Sequence, residues 1–182
     1  MIIYSLYRPF FKRVFLILIE NRSIMKAEES TVSSMFFLCL CIRRSSMLKD
    51  TAMKWFDLDL DLGCSEAMLY ACNEYYDLRL PEEVFRAASA FCGGMDHNEI
   101  CGALSGSIMV IGILYSSGRC HHSEEMKEIE GELFRRFTER LGTVNCDDLK
   151  EQGIKCSTMM ITASEILEDL IERHPFNRHR AS

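Results

Sequence analysis

The sequence predicts an all-α protein, a compact bundle of about five helices with a buried central helix that contains glycine. Apolar residues recur at helical spacing through most of the chain after residue 53, and capping residues and glycines separate these segments. No segment reads convincingly as a strand, and no internal repeat is evident. A hydrophobic content of 48% is enough to bury a core.

Each predicted helix has a start or stop signal. Ser65 is the predicted cap of the first, Pro81 lies in the first turn of the second, and Ser157 is the predicted cap of the last. A short helical turn begins at Cys146 and breaks near Gly153. The longer helices cover residues 65–78, 81–92, 101–116, 124–141 and 158–173.

The third helix, residues 101–116, is almost wholly apolar, which predicts that it is buried on all sides. Gly102, Gly106 and Gly112 would each weaken an isolated helix by ~1 kcal/mol relative to alanine. We expect close approach of neighbouring backbones to compensate at these three positions.

Charge divides the chain into two parts. Residues 1–52 carry 8 Lys and Arg against 4 Asp and Glu, whereas the remainder carries 13 against 23. The predicted organisation is a poorly ordered or non-native extension over 1–52, a helical domain over 53–175 and a flexible tail over 176–182.

Composition also limits the partners and the compartment. Two apolar runs, residues 14–19 and 35–42, are far shorter than the ~20 residues that span a bilayer, so no membrane span is expected. No secretory signal is evident, which predicts a cytoplasmic protein. The net charge of −6 does not favour nucleic-acid binding.

Cysteine is the most informative residue type in this chain. Nine cysteines are an odd number, and without a secretory signal they favour metal binding or thiol chemistry over a framework of disulfides. Four of them precede or begin predicted helices: Cys64, Cys101, Cys146 and Cys156. The positive end of a helix favours a thiolate over a thiol and so raises reactivity.

Connectivity predicts that these four cysteines meet. Short connections make consecutive helices antiparallel, so the starts of the first and third helices lie at the same end of the bundle. The loop after the fourth helix returns to that end with Cys146, and Cys156 lies ten residues further. Cys92 should also reach this end, Cys120 the opposite end, and Cys72 the core. The alternative is that each cysteine packs separately as a small buried residue.

These cysteines resemble the C_GCAxxG_C_C family of redox-active proteins. Residues 101–106 read CGALSG, a full match to CGAxxG, and Gly93 and Gly94 resemble the glycine-rich segment before it. Residues 64–67 resemble the family's first cysteine block, and Cys146 and Cys156 its third and fourth cysteines. The resemblance covers about residues 53–175 and implies a small helical redox protein, often associated with transporter genes, whose reaction is not established.

Two features depart from the family pattern. Gly63 stands before the first cysteine, where asparagine is expected, and Cys72, Cys92 and Cys120 are extra cysteines.

Other polar residues are weaker candidates. His121 and His122 beside Cys120 could bind a metal, although a solvated loop is the simpler interpretation. His97 and Glu99, at the predicted cysteine end, could carry a proton or add a ligand. The chain has no CxxC, no phosphate-binding loop and no HExxH motif.

Three hypotheses follow. The first is thiol–disulfide chemistry or electron transfer, as in an oxidoreductase, with Cys101 as the nucleophile and Cys64, Cys146 or Cys156 as its partner; the redox partner is unknown. The second is a four-cysteine site for zinc or an iron–sulfur cluster, with the same four residues as ligands. The third is a non-enzymatic helical module that binds a partner such as a transporter.

Overall fold

The structure is a computed structural model, and it describes residues 47–176, apart from the side chain of Leu58. The described part is helical and contains no strand, which confirms the predicted all-α class. It has seven α-helices where about five were expected. They are α1 Leu48–Trp55, α2 Cys64–Tyr76, α3 Glu82–Ala88, α4 Gly102–Tyr115, α5 Glu124–Leu141, α6 Cys146–Glu151 and α7 Cys156–Arg173.

Helix α1 was not predicted. It spans the boundary expected at residue 53, and Leu48 and Ala52 are fully buried against α2 and α7. At its start the Asp50 carboxylate accepts the Met47 N–H at 3.1 Å, and both carboxylate oxygens of Glu168 in α7 accept the Leu48 N–H at 3.2 Å. The second of these partners is 120 residues away and could not be expected from local sequence.

The predictions for the apolar runs at 14–19 and 35–42 and for the tail beyond residue 176 lie outside the described residues. Within the described residues, no helix is both long and apolar enough to cross a bilayer.

Helix α4 buries ten of its fourteen residues and packs against α2, α5 and α7. Gly106 explains the close contact with α2, because a Cβ at this position would lie 2.8 Å from the Ser65 carbonyl oxygen. The expectation of close approach also holds at Gly102 but is wrong at Gly112, where an added Cβ would meet nothing within 4 Å.

The predicted caps Ser65 and Ser157 are wrong, whereas Ser123 precedes α5 as its N-cap residue. Helix α2 begins at Cys64 with Gly63 as its N-cap, and the Ser65 hydroxyl instead donates to the Ala88 carbonyl at 2.7 Å. Helix α7 begins at Cys156 after Lys155, ahead of Ser157. Each shift moves a cysteine into the first turn of its helix.

Candidate functional site

A cavity of about 150 Å³ lies where the helix starts of α2, α4, α6 and α7 meet. Its wall contains all four cysteines that the sequence singled out, Cys64, Cys101, Cys146 and Cys156, together with the exposed side chain of Lys150. The convergence expected from antiparallel helices is therefore seen as a shared cavity.

Every one of these cysteines occupies a helix start. Cys64, Cys146 and Cys156 are the first residues of α2, α6 and α7, and Cys101 is the N-cap of α4. Helix starts present unpaired N–H groups and a partial positive charge. The cavity therefore gathers four sulfur atoms at helix ends that suit negative charge.

Cys101 and Cys146 are held together by the backbone. Ile100 and Asn145 form an antiparallel bridge, in which the Cys101 N–H donates to the Val144 carbonyl at 2.9 Å. The Cys146 N–H donates in turn to the Glu99 carbonyl at 2.5 Å. These two bonds tie the start of α4 to the start of α6. The Asn145 side chain completes the arrangement by accepting the N–H groups of Asp147 and Asp148.

Two glycines make room for cavity cysteines. A Cβ at Gly102 would lie 2.2 Å from the Cys64 Sγ, and a Cβ at Gly94 would lie 3.0 Å from the Cys146 Cβ and 2.5 Å from the Glu99 N. Gly94 also has a φ of +66°, which favours glycine. Neither position can carry a side chain without moving a cysteine or the adjoining backbone.

The segment between α3 and α4 turns sharply. Gly93, Gly94, Met95 and Asp96 all have positive φ values, between 57° and 66°. For Met95 and Asp96 this backbone conformation costs roughly 1–2 kcal/mol per residue. The turn brings Gly93 and Cys101 to the same cavity wall.

Cys101 is buried and only 2% exposed. Burial raises its pKa to about 11, although hydrogen bonds from the N–H groups of Leu104 and Ala103 act in the opposite direction. The charges of Cys146 and Cys156 raise it further. Its Sγ lies 3.6 Å from the Met159 Sδ. At neutral pH Cys101 is therefore a thiol.

Cys64 and Cys92 form a second group of sulfur atoms. The interaction between their side chains raises the pKa of Cys64 and lowers that of Cys92 to about 6. Burial opposes the shift at Cys92, whereas the Ser65 hydroxyl and the N–H groups of Ser65 and Glu66 support it. The N–H of Gly93 also donates to the Cys64 sulfur.

Exposure differs among the cysteines in a graded way. Cys156 is exposed, Cys64 and Cys92 are half-buried, and Cys101 and Cys146 are buried. The seven described cysteines are all free thiols. An incoming reagent therefore meets Cys156, Cys64 or Cys92 before it can reach the two inner thiols.

Cys92 is the residue that the sequence reasoning undervalued. It was expected at the correct end of the bundle but was treated as an extra cysteine. The available signal was Gly63 beside Cys64, because a glycine at an N-cap leaves space for a side chain from elsewhere in the fold.

The other candidates lie apart from the cavity. Cys72 is fully buried in the core, as predicted. Cys120, His121 and His122 are exposed on a short 3₁₀ turn, and none of them lines the cavity. His97 and Glu99 are likewise exposed and absent from its wall, although the Glu99 backbone holds Cys146.

The donor chemistry of four thiols suits zinc or an iron–sulfur cluster. Their positions do not yet suit a metal ion: within residues 47–176, no three His, Cys, Asp or Glu side chains are grouped closely enough to hold one. Binding would require the sulfur atoms to move together.

The fold and the cavity define a class of protein, a helical domain that collects cysteines at the starts of its helices. A comparison with protein families shows which family this domain belongs to. Residues 62–170 match the family described as "Putative redox-active protein (C_GCAxxG_C_C)", and the chain belongs to this family. No curated protein and no solved structure matches the chain.

Proposed function

We propose that the protein carries out thiol–disulfide redox chemistry with the cysteines of its cavity, either as an oxidoreductase or as a carrier of electrons. The observation that carries this proposal is the common cavity wall formed by Cys64, Cys101, Cys146 and Cys156. The family description, which names redox activity, agrees with it.

Cys101 has the central position in this proposal. Its charge affects the pKa of Cys64, and its own pKa responds to the charges of Cys146 and Cys156. Cys101 therefore has a neighbour on each side with which it could form a disulfide. The partner is left open among these three.

The reaction needs a second thiol and an acceptor of two electrons. When Cys101 and a partner form a disulfide, an S–S bond replaces two S–H bonds, and two electrons and two protons leave. An incoming disulfide of a small molecule or protein can take both electrons and become two thiols. At the start of α4, the backbone N–H groups of Leu104 and Ala103 lower the pKa of Cys101 against the larger effect of burial and so favour its thiolate.

A redox titration tests this proposal. The full chain, free of metal, would be equilibrated with mixtures of reduced and oxidised dithiothreitol, its free thiols alkylated, and its disulfides mapped by mass spectrometry. We expect a reversible disulfide between Cys101 and one of the other three cavity cysteines. It should vanish in Cys101→Ser and persist in Cys120→Ser, because Cys120 is exposed and lies outside the cavity.

A midpoint potential that is unchanged in Cys101→Ser would contradict the role of Cys101. A wild-type chain whose cavity cysteines never form a disulfide at any potential would contradict the proposed function as a whole.

A four-cysteine metal site is the second candidate, and the shared wall of four thiols favours it. Cys64, Cys101, Cys146 and Cys156 would be the ligands of zinc or of an iron–sulfur cluster. Anaerobic purification followed by metal analysis and a visible spectrum tests it. One bound zinc ion or one cluster per chain, lost in Cys146→Ser, would support this candidate over the first.

A non-enzymatic module that docks on a partner such as a transporter is the remaining interpretation. It would be favoured by a chain that neither binds metal nor forms a disulfide among its cavity cysteines in the two experiments above.

A further inference from the structure

We propose that Cys92, which lies outside the motif, is the attacking thiol through which electrons leave the protein, and that Cys64 is its resolving partner. The proposal extends the thiol–disulfide function and rests on it. It assigns a chemical role to a fifth cysteine and names the substrate class, a small disulfide without negative charge.

The first argument is contact. The Cys92 Sγ lies 2.9 Å from the Ser65 Oγ, and a Cβ on Gly63 would lie 1.9 Å from the same sulfur, so Cys92 packs against both chain neighbours of Cys64 although it lies on a different segment. Cys64 also belongs to the cavity wall, next to Gly102 at the start of α4. Cys64 therefore lies between Cys92 and the inner thiols, in a position to exchange a disulfide with either side.

The second argument is the space that Gly63 leaves. A Cβ at position 63 would lie 1.9 Å from the Cys92 Sγ and 2.7 Å from its Cβ, so any residue but glycine would displace this side chain. Gly63 is the N-cap of α2, and the sulfur of Cys92 lies where a capping side chain would begin. The Ser65 Oγ lies 2.9 Å from this sulfur, and the backbone N–H groups of Ser65 and Glu66 lower the pKa of Cys92.

The third argument is access. Cys92 is half-buried, and its sulfur contacts the Ser65 hydroxyl at the start of α2. Cys101 and Cys146, in contrast, are only 2% and 3% exposed. A disulfide that is too large for the cavity can reach Cys92 but not these inner thiols.

One charge faces Cys92. The Glu66 Oε2 lies 3.7 Å from the Cys92 Sγ and is held in place by the Gly63 N–H at 3.0 Å. This carboxylate would repel an anionic disulfide and attract a cationic one. Cystamine, with an ammonium group at each end, is therefore the probe of choice, and oxidised glutathione is the anionic comparison.

The reaction proceeds by two exchanges. The Cys92 thiolate attacks one sulfur of cystamine, so an S–S bond forms to Cys92 and one cysteamine leaves as a thiolate that takes a proton from water. Cys64 then gives its proton to water and attacks the Cys92 sulfur, which releases the second cysteamine, again protonated by water. One disulfide has become two thiols, and Cys64 and Cys92 have lost two electrons as their own disulfide.

The test is a rapid-quench reaction of the reduced, metal-free full chain with cystamine, followed by peptide mapping. We expect the wild type to form a Cys64–Cys92 disulfide and Cys64→Ser to trap cysteamine on Cys92. Cys92→Ser should react at the Cys64 site at least about tenfold more slowly, as expected when a thiolate at a helix start is lost. Cys120→Ser is the matched control and should keep the wild-type rate.

Two further variants keep the test independent of folding defects. Gly63→Ala should slow the reaction although both cysteines remain, and Glu66→Gln should reduce the preference for cystamine over oxidised glutathione. Circular dichroism and thermal melts of each variant show whether the fold is retained. Cys92→Ala serves in place of Cys92→Ser if the serine variant does not fold.

Two outcomes would overturn the proposal. One is that Cys64→Ser traps cysteamine on Cys101 or Cys156 but not on Cys92. The other is that Cys92→Ser reacts with cystamine at the wild-type rate. Failure of the thiol–disulfide function itself looks different: the Cys101-dependent disulfide would be absent from the redox titration, whatever the rate at Cys92.

Discussion

Gly102 and Cys64 belong to different helices, yet a single methyl group on Gly102 would lie 2.2 Å from the Cys64 sulfur. The first glycine of the CGAxxG motif thus makes room for Cys64, which lies outside this motif in the first cysteine block. This contact joins the start of α4 to the start of α2 and sets the position of Cys64 beside both Cys92 and the cavity.

Gly102→Ala should therefore displace Cys64. We expect slower formation of the Cys64–Cys92 disulfide and a loss of ~1–3 kcal/mol in the free energy of unfolding, because overpacking forces neighbouring atoms to shift. Urea denaturation and peptide mapping after oxidation measure the two effects. A Gly102→Ala chain that retains both the stability and the oxidation rate of the wild type would contradict this explanation of the motif.

Gly106 and Gly112 form a matched pair on the same helix. A Cβ at position 106 would meet the Ser65 carbonyl oxygen at 2.8 Å and the Met68 Cβ at 3.0 Å, whereas at position 112 it would meet nothing within 4 Å. Gly106→Ala should therefore lower the free energy of unfolding by ~1–3 kcal/mol. Gly112→Ala should raise it by up to ~1 kcal/mol, since alanine is the better helix former.

Urea denaturation followed by far-UV circular dichroism compares these two variants. Changes of the same sign in both would show that helix propensity alone, without contact to α2, decides the effect.

The pH dependence of alkylation should separate Cys92 from Cys101. Interaction with the Cys64 side chain lowers the pKa of Cys92 to about 6, so its thiolate forms at a lower pH than an ordinary thiol. Its rate with iodoacetamide should rise through pH ~6 and level off by pH ~8, because only the thiolate reacts. Burial raises the pKa of Cys101 to about 11, so its rate should still be increasing at alkaline pH.

Pulse alkylation of the reduced, metal-free chain with mass spectrometry follows both sites, and N-acetylcysteine provides the reference for an ordinary thiol. The prediction for Cys92 is wrong if its alkylation rate follows that of N-acetylcysteine across the whole pH range.

Glu168 fixes the start of α1. Its carboxylate accepts the Leu48 N–H with both oxygens at 3.2 Å and the Tyr75 hydroxyl at 2.6 Å. Glu168→Ala should lower the free energy of unfolding by ~1–3 kcal/mol, because it leaves a buried donor without its acceptor. Urea denaturation gives the magnitude, and hydrogen exchange should show the loss concentrated in α1.

Glu172→Ala is the control for this prediction, since Glu172 is exposed on the same helix. An equal loss of stability in both variants, or normal protection of α1 in Glu168→Ala, would mean that the carboxylate does not hold this helix.

The sequence predicted the helical class because apolar residues at helical spacing are a local signal. The bounds of α5, residues 124–141, agree with the structure. The four motif cysteines could be placed at helix starts for the same reason, and short connections between helices predicted that they would lie at one end. The match to CGAxxG added the expected type of chemistry.

Local sequence patterns predicted neither helix α1 nor the contacts between side chains from distant segments. Glu168 accepts the first N–H of α1, and the space beside Gly63 is filled by Cys92; each of these contacts joins residues that are distant along the chain. The difference between Gly106 and Gly112 has the same origin, since both look alike in the sequence and only one touches α2.

The sequence by itself determined that this protein is helical and that cysteines begin its helices, because helix formation and its start signals depend on residues a few positions apart. Only the tertiary structure decided that Cys101 is buried while Cys92 lies beside Cys64 with part of its surface open to solvent. Burial and hydrogen bonding between distant segments set the protonation of a thiol, and neither exists until the helices have packed.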